Sequence, residues 1–202
     1  MTLGDIKIQA LKIMFATYDA ITASSLADYY NDENYGPYLQ NMNGSINRCL
    51  KDIEIKKVLE PLSLTITTTN ERGKRSFNLS TLDNFYDIKQ INLFGDTFYL
   101  ENIPYKRTGN KIYLPDYVGS YEIEYYPAID MITSSNTDDY AFTLPGNIVS
   151  LIPYFIKGEL YREDEPNEAS EAMNWYEQKL NQIIAYKTQG IAQAVVEETY
   201  KL

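Results

Sequence analysis

The chain predicts an α+β fold: a mainly helical bundle formed by N- and C-terminal helices, with a small antiparallel β domain inserted between them. Three observations predict it. Apolar residues recur at helical spacing through the first 60 residues and again from Thr143 to Lys187. Between these stretches the period drops to two, most clearly where Tyr121, Ile123 and Tyr125 alternate with Glu122 and Glu124. Helices and strands are therefore segregated along the chain, which is the α+β pattern. The expected ranges are 1–60 and 143–188 for the bundle, 62–132 for the β insertion and 189–202 for a C-terminal arm.

The first helix opens on Thr2, with Asp5 three residues on as a short capping box. Ile6, Ile8, Leu11, Ile13, Met14 and Phe15 make it apolar over much of its circumference, which predicts burial. Asp19 to Thr22 ends it, and Thr22 or Ser24 starts a short second helix through Leu26 and Tyr30. Pro37 opens a longer helix carrying Leu39, Met42, Ile46, Cys49, Leu50, Ile53 and Val58, weakened by Gly44 and stopped by Pro61.

Strand texture begins where Leu62, Leu64 and Ile66 alternate with Ser63, Thr65 and Thr67. Turns are expected at 70–73, at Gly95-Asp96 between 87–93 and 97–100, and at 108–110 before Lys111–Leu114. The polar loop 134–140 leads into the C-terminal helical hairpin. Its first helix carries Ile148, Leu151, Ile152, Phe155, Ile156 and Leu160, and Pro153 either kinks it or marks its true start. The elbow Arg162-Glu163-Asp164-Glu165 precedes Pro166, a proline suited to a first helical position. The second helix places Ala169, Ala172, Met173, Tyr176, Leu180, Ile183 and Ile184 on one stripe. Residues from Gly190 onward either extend this helix or form a separate arm.

Composition narrows the function classes. A chain of 202 residues buries about 70% of the surface its unfolded form exposes. There are 19 Tyr against 7 Phe and 1 Trp, and tyrosine is the aromatic of half-wet surfaces. The net charge of −10, from 18 basic and 28 acidic residues, argues against binding nucleic acid by phosphate neutralisation. Histidine is absent, which removes the commonest general base and metal ligand. One cysteine, Cys49, allows no disulfide within the chain and fits a reducing compartment. Asp5 comes early with no apolar run behind it, so no secretory signal is expected, and no window is long and apolar enough to span a membrane.

Candidate chemistry is thin. Asp138-Asp139 and the carboxylates from Glu159 to Glu165 read as a solvated loop and a solvated elbow, with a divalent-cation or acid/base pair as the sharper alternative. Arg72, Lys74 and Arg75 form a basic knot that reads as a charged hairpin tip. Cys49 reads as a small buried apolar residue. Trp175, at the edge of its stripe, reads as a packing residue or as an interface anchor. No catalytic residue, cofactor or metal is expected.

Several of these features come in a familiar order. An aromatic strand ends in proline (Tyr121–Pro127, YEIEYYP), followed by Pro127-Ala128-Ile129-Asp130, then by Thr143-Leu144-Pro145 and an apolar helix. The acidic elbow with its proline (Arg162–Pro166, REDEP) then leads to a helix with Ala169, Trp175, Tyr176 and Leu180. From Tyr121 to Leu180 this resembles the head–tail connector, or adaptor, proteins of tailed bacteriophages. The first 60 residues match only as a helical layout, and 62–114 is longer than in the smallest members.

The resemblance implies a virion neck protein assembled in the host cytoplasm. It implies a homo-oligomeric ring, typically of twelve copies, docked beneath the portal, extending the DNA channel and receiving the next tail component. DNA would pass through an acidic lumen without specific binding. The expected subunit interface is Trp175, Tyr176, Tyr186 and Phe155. The expected portal-docking arm is Ile191, Val195, Val196 and Tyr200. Two other classes compete: a β-rich binding module of a tail or tail tip, and a metal-assisted hydrolase using Asp138, Asp139 and Glu163.

Overall fold

The computed structural model describes residues 1–15, 21–67, 75–95, 97–117 and 119–199, with side chains of the last helix described as far as 187. The fold is α+β. The chain divides into a helical unit, Met1–Asp52 with Met131–Leu202, and a β unit, Ile53–Asp130.

In the helical unit, α1 (Leu3–Phe15) starts on the predicted box. The Thr2 amide donates to Asp5 Oδ2 at 2.8 Å and the Asp5 amide donates to Thr2 Oγ1 at 3.1 Å. These bonds pair amides that a helix start leaves orphaned. The Thr2 amide, first among the causes, holds the Asp5 carboxyl below its ordinary range. After α2 (Leu26–Tyr29) comes α3 (Gly36–Ile55), in which Leu39, Met42, Ile46, Cys49 and Leu50 are all buried.

Helix α3 ends well before Pro61. The Val58 amide bonds the Ile53 carbonyl and the Lys57 amide the Glu54 carbonyl, with Lys57 at φ 54°. This is a left-handed helix stop, filled here by lysine where glycine is usual. Farther along, α4 (Gly146–Val149) is followed by α5 (Ile152–Leu160), so Pro153 marks a start and not a kink.

Pro166 is the first residue of α6, which runs unbroken to Thr199. The helix thus continues as far as 199 in the stretch expected either to extend it or to form a separate arm. Helix α5 packs against both α1 and α6. Gly158 permits the close approach to α6: a Cβ there would lie 3.0 Å from Met173 Cε and 3.3 Å from the Ala169 carbonyl oxygen.

Among its described residues the β unit holds two antiparallel sheets. One has the order β1 (Leu62–Thr67), β7 (Ser120–Pro127), β3 (Phe85–Phe94), β4 (Tyr99–Leu100). The other has β2 (Arg75–Asn78), β6 (Lys111–Leu114), β5 (Lys106–Thr108). Strand β5 and the separation into two sheets are not visible in the residue pattern, because three exposed residues, Lys106, Arg107 and Thr108, carry no alternation.

The core lies between contributions of both sheets: Ile88, Ile91 and Leu93 of β3, Tyr121, Ile123 and Tyr125 of β7, and Ile112 and Leu114 of β6. Central strand β7 alternates cleanly, while two register shifts in β3 break its alternation. Tyr121 is fully buried and its hydroxyl donates to the Pro115 carbonyl at 2.6 Å, so the ring fills the core while the oxygen stays paired.

Candidate interaction surface

Expected interface residues separate into two groups. Tyr176 and Phe155 are 0% and 8% exposed and belong to the core, which corrects their expected place at the surface. Their rings meet edge to face at 5.1 Å, and the Tyr176 hydroxyl donates to Asp52 Oδ2 at 2.8 Å. Burial, with Cys49 and Asp52 beside it, pushes that hydroxyl far above the ordinary range. Both residues lie on the stripes by which α5 and α6 cover each other, so the helical pairing consumes them.

Trp175 is half-buried and stacks on Tyr154, with ring centroids 3.7 Å apart and planes 25° apart. The pair floors a groove of about 340 Å³ together with Gln9, Lys12, Ile13 and Ser150. Tyr186 is 73% exposed. The side chains of Ile191, Val195 and Val196, and all of Tyr200, lie outside the described residues, as do the side chains of the basic knot at Arg72, Lys74 and Arg75.

The carboxylates do not converge. Asp138 is not simply solvated: its Oδ1 lies 2.7 Å from Nζ of Lys7, a lysine only 3% exposed on α1. The Tyr30 hydroxyl joins both groups, accepting from Lys7 at 2.7 Å and donating to Asp138 at 3.2 Å. Asp138 is thus the counter-charge of a buried cation, and its loop is fastened to the start of α1 by the bonds Leu3 N to Tyr140 O and Gly4 N to Asp138 O, both 2.8 Å. Glu163, Asp164 and Glu165 are exposed on the elbow, as read from sequence. Among the described residues no three Cys, Asp or Glu side chains are placed to hold a metal ion together, so the trio Asp138, Asp139 and Glu163 is not a site.

Exposed apolar surface sits elsewhere. Among the described residues, Leu62, Leu64, Phe94, Phe98, Tyr99, Leu100, Tyr105, Tyr113 and Tyr117 of the β unit are all substantially exposed. Two sets are organised by the four-stranded sheet. On edge strand β1, Leu62 and Leu64 stand opposite Tyr125 and Ile123. Directly opposed residues share a face, so both leucines point to the core side yet overhang it, 45% and 37% exposed.

At the other edge, Leu100 of β4 opposes buried Leu93 and also lies on the core side, 44% exposed. Phe94 and Tyr99 pair on the outer side, with rings 4.7 Å apart. The β3–β4 turn is closed by Gly95 N to Phe98 O at 2.9 Å, and Phe98 packs so tightly on Gly95 that a Cβ there would overlap its ring.

Away from Phe94 and Tyr99, the outer face around Asn92 and Glu124 is polar and internally paired. Asn92, 1% exposed, donates to Glu124 Oε1 at 3.0 Å and Glu122 Oε2 at 3.2 Å, and Lys89 reaches Glu124 at 2.8 Å. Burial pushes the Glu124 carboxyl up, but the donors Lys89, Gln90 and Asn92 outweigh it and hold the group low. The face is thus a satisfied network.

Sequence reading shows Leu62 and Leu64 as alternating residues of a strand, without assigning their face. The signal it left unused is that 62–67 contains no charge and no proline, the usual guards of an edge strand. No family model matches the chain, and no curated protein matches it.

Proposed function

We propose that the chain is a structural assembly subunit of a tailed-phage neck: a head–tail connector that joins copies of itself into a ring beneath the portal and receives the next tail component. One observation carries the reading: charge and apolar surface are divided between the two units. The β unit has 11 acidic and 9 basic residues, whereas the helical unit has 17 and 9. The β unit carries most of the exposed apolar side chains among the described residues.

A ring subunit needs both properties. It must present apolar area to its neighbours, and a wall along a DNA channel must repel phosphate and not hold it. On this reading the excess Asp and Glu of the helical unit face the lumen, and the chain performs no catalysis. Among the described residues no helix is long and apolar enough to cross a membrane, which suits a particle assembled in aqueous surroundings. The helix start at Pro166 after an exposed acidic elbow, which is part of the connector-like layout, supports the same reading.

Native mass spectrometry with the portal protein of the same genome tests it. A mixed assembly containing about twelve copies is the expected result; no affinity for portal at any ratio would sink the reading. A ring whose lumen is lined by Lys and Arg would sink the charge assignment alone. The exposed tyrosines of the β unit favour one second reading, a binding module of the tail or tail tip. Attachment of the isolated β-unit surface to a host envelope preparation, with no portal affinity, would select it.

A further inference from the structure

The four-stranded sheet of the β unit has two edges, and both are apolar on the same face. Strand β1 pairs with β7 over six residues without a register shift, and among the described residues it pairs with nothing else. Its residues 62–65 are exposed on both faces. An unbulged, uncharged, leucine-bearing edge invites another strand, and proteins that stay monomeric normally blunt it. Leu62 and Leu64 there, and Leu100 on β4 at the far edge, all overhang the core-side face. The two edges point in opposite directions, so one chain cannot cover either with the other.

We infer that a second copy of this chain lays its β4 edge along β1, so that successive copies extend one sheet head to tail. Strand polarity carries the commitment to this occupant. All three pairings within the sheet are antiparallel, so the four strands alternate in direction from β1 to β4. With an even number of strands, the next copy in the same orientation presents β1 antiparallel to the preceding β4, and the ladder continues without reversal.

The faces agree as well. Leu100 of one copy comes beside Leu62 and Leu64 of the next on the core-side face, closing one apolar row. A two-fold pairing of β1 with β1 would cover the leucines of that strand but leave Leu100 bare at both ends. Head-to-tail contacts of this kind form rings when the rotation closes; the closing of the ring, though not the contact, rests on the connector reading above.

Complementation of two full-length variants tests the contact. Leu64→Lys blunts β1 and leaves β4 intact, and Leu100→Lys does the reverse. Both positions are exposed, and Leu62→Lys replaces the first should it fail to fold by circular dichroism. Sedimentation and native mass spectrometry over a concentration series are expected to show wild-type chains associating and each variant alone losing association at least tenfold. An equimolar mixture of the two variants is expected to form a one-to-one dimer and nothing larger.

Loss with Leu64→Lys but none with Leu100→Lys would establish the two-fold β1 pairing and overturn the proposal. Association untouched by either variant, or wild type monomeric at every concentration, would overturn edge pairing altogether. Neither result bears on portal affinity, so the connector reading stands or falls separately; complementation without portal binding would remove the connector and keep the contact.

Discussion

In the helical unit most large aromatic and aliphatic side chains are under cover and the exposed residues are mostly polar; in the β unit the carboxylates Glu122 and Glu124 are tied into a hydrogen-bonded network while leucines, tyrosines and phenylalanines stay exposed. The two halves share one chain and one pool of residue types. The difference lies in where packing is completed. Helices α1, α5 and α6 complete each other, with Gly158 letting two of them close. Among the described residues strand β1 has one neighbour, and its leucines stay exposed. Apolar surface is consumed in the first arrangement and left exposed in the second.

The largest effect expected from that contrast is at Tyr176. Tyr176→Ala removes a fully buried ring and its hydrogen bond to Asp52, costing about 3–5 kcal/mol in denaturant unfolding; a cost below about 1 kcal/mol would show that α6 does not depend on this seam. Next comes the Lys7–Asp138 pair. Asp138→Ala leaves a 3% exposed ammonium without its counter-charge, a loss of about 2–3 kcal/mol, scaled down from the fully buried case because Asp138 is itself about one-third exposed. Lys7→Met keeps the packing and removes the charge, and is expected within about 1 kcal/mol of wild type. Equal costs for the two variants would break the claim that the lysine is the stranded partner. Gly158→Val drives branched carbons into Met173 and the Ala169 carbonyl and costs about 1–3 kcal/mol, read as a drop in melting temperature.

A pH series sharpens the same contrast. Burial raises the Tyr161 hydroxyl to about 12. Unfolded, the same group ionises near its ordinary value of about 10. Between those pH values the unfolded chain binds fewer protons than the folded one, so stability is complete below about pH 10 and falls as pH rises toward 12. Tyr161→Phe flattens part of that slope; an unchanged slope in alkaline denaturation would assign it to other tyrosines. The smallest effect belongs to the β unit's surface. Leu62→Ser is expected to leave monomer stability within about 0.5 kcal/mol, and a larger loss would mean that β1 is already covered.

Much of the fold is legible in local pattern. Tyr121, Ile123 and Tyr125 announce β7 because a central strand under one covered face must alternate, and Thr2 with Asp5 announces α1 because orphan amides need acceptors at that spacing. Pro166 announces α6 in the same way. What pattern did not disclose depends on distant partners. Lys7 and Asp138 are 131 residues apart, and nothing in either neighbourhood encodes their meeting. Phe155 and Tyr176 were readable as stripe residues, but which stripe is covered depends on how α5 and α6 face each other. Lys57 in a left-handed helix stop hides because glycine is the residue that advertises that conformation. The candidate surface was half legible: the strand period of Leu62 and Leu64 was visible, whereas their exposure depends on what distant parts of the chain pack over them.

Helix α6 illustrates a last point. Among its described side chains the last fully buried one is Leu180, and between 181 and 187 every side chain is exposed or half-exposed, Tyr186 most of all. A helical segment with so little tertiary cover persists mainly on its own propensity, which is marginal for short segments in water. Amide protons should therefore exchange on two clocks along one continuous helix: slowly, tied to global unfolding, from Ala172 to Leu180, and orders of magnitude faster from 181 to 187. Burial of the second stretch in an assembly would bring the fast clock toward the slow one, giving a timing signal for contact that needs no substitution.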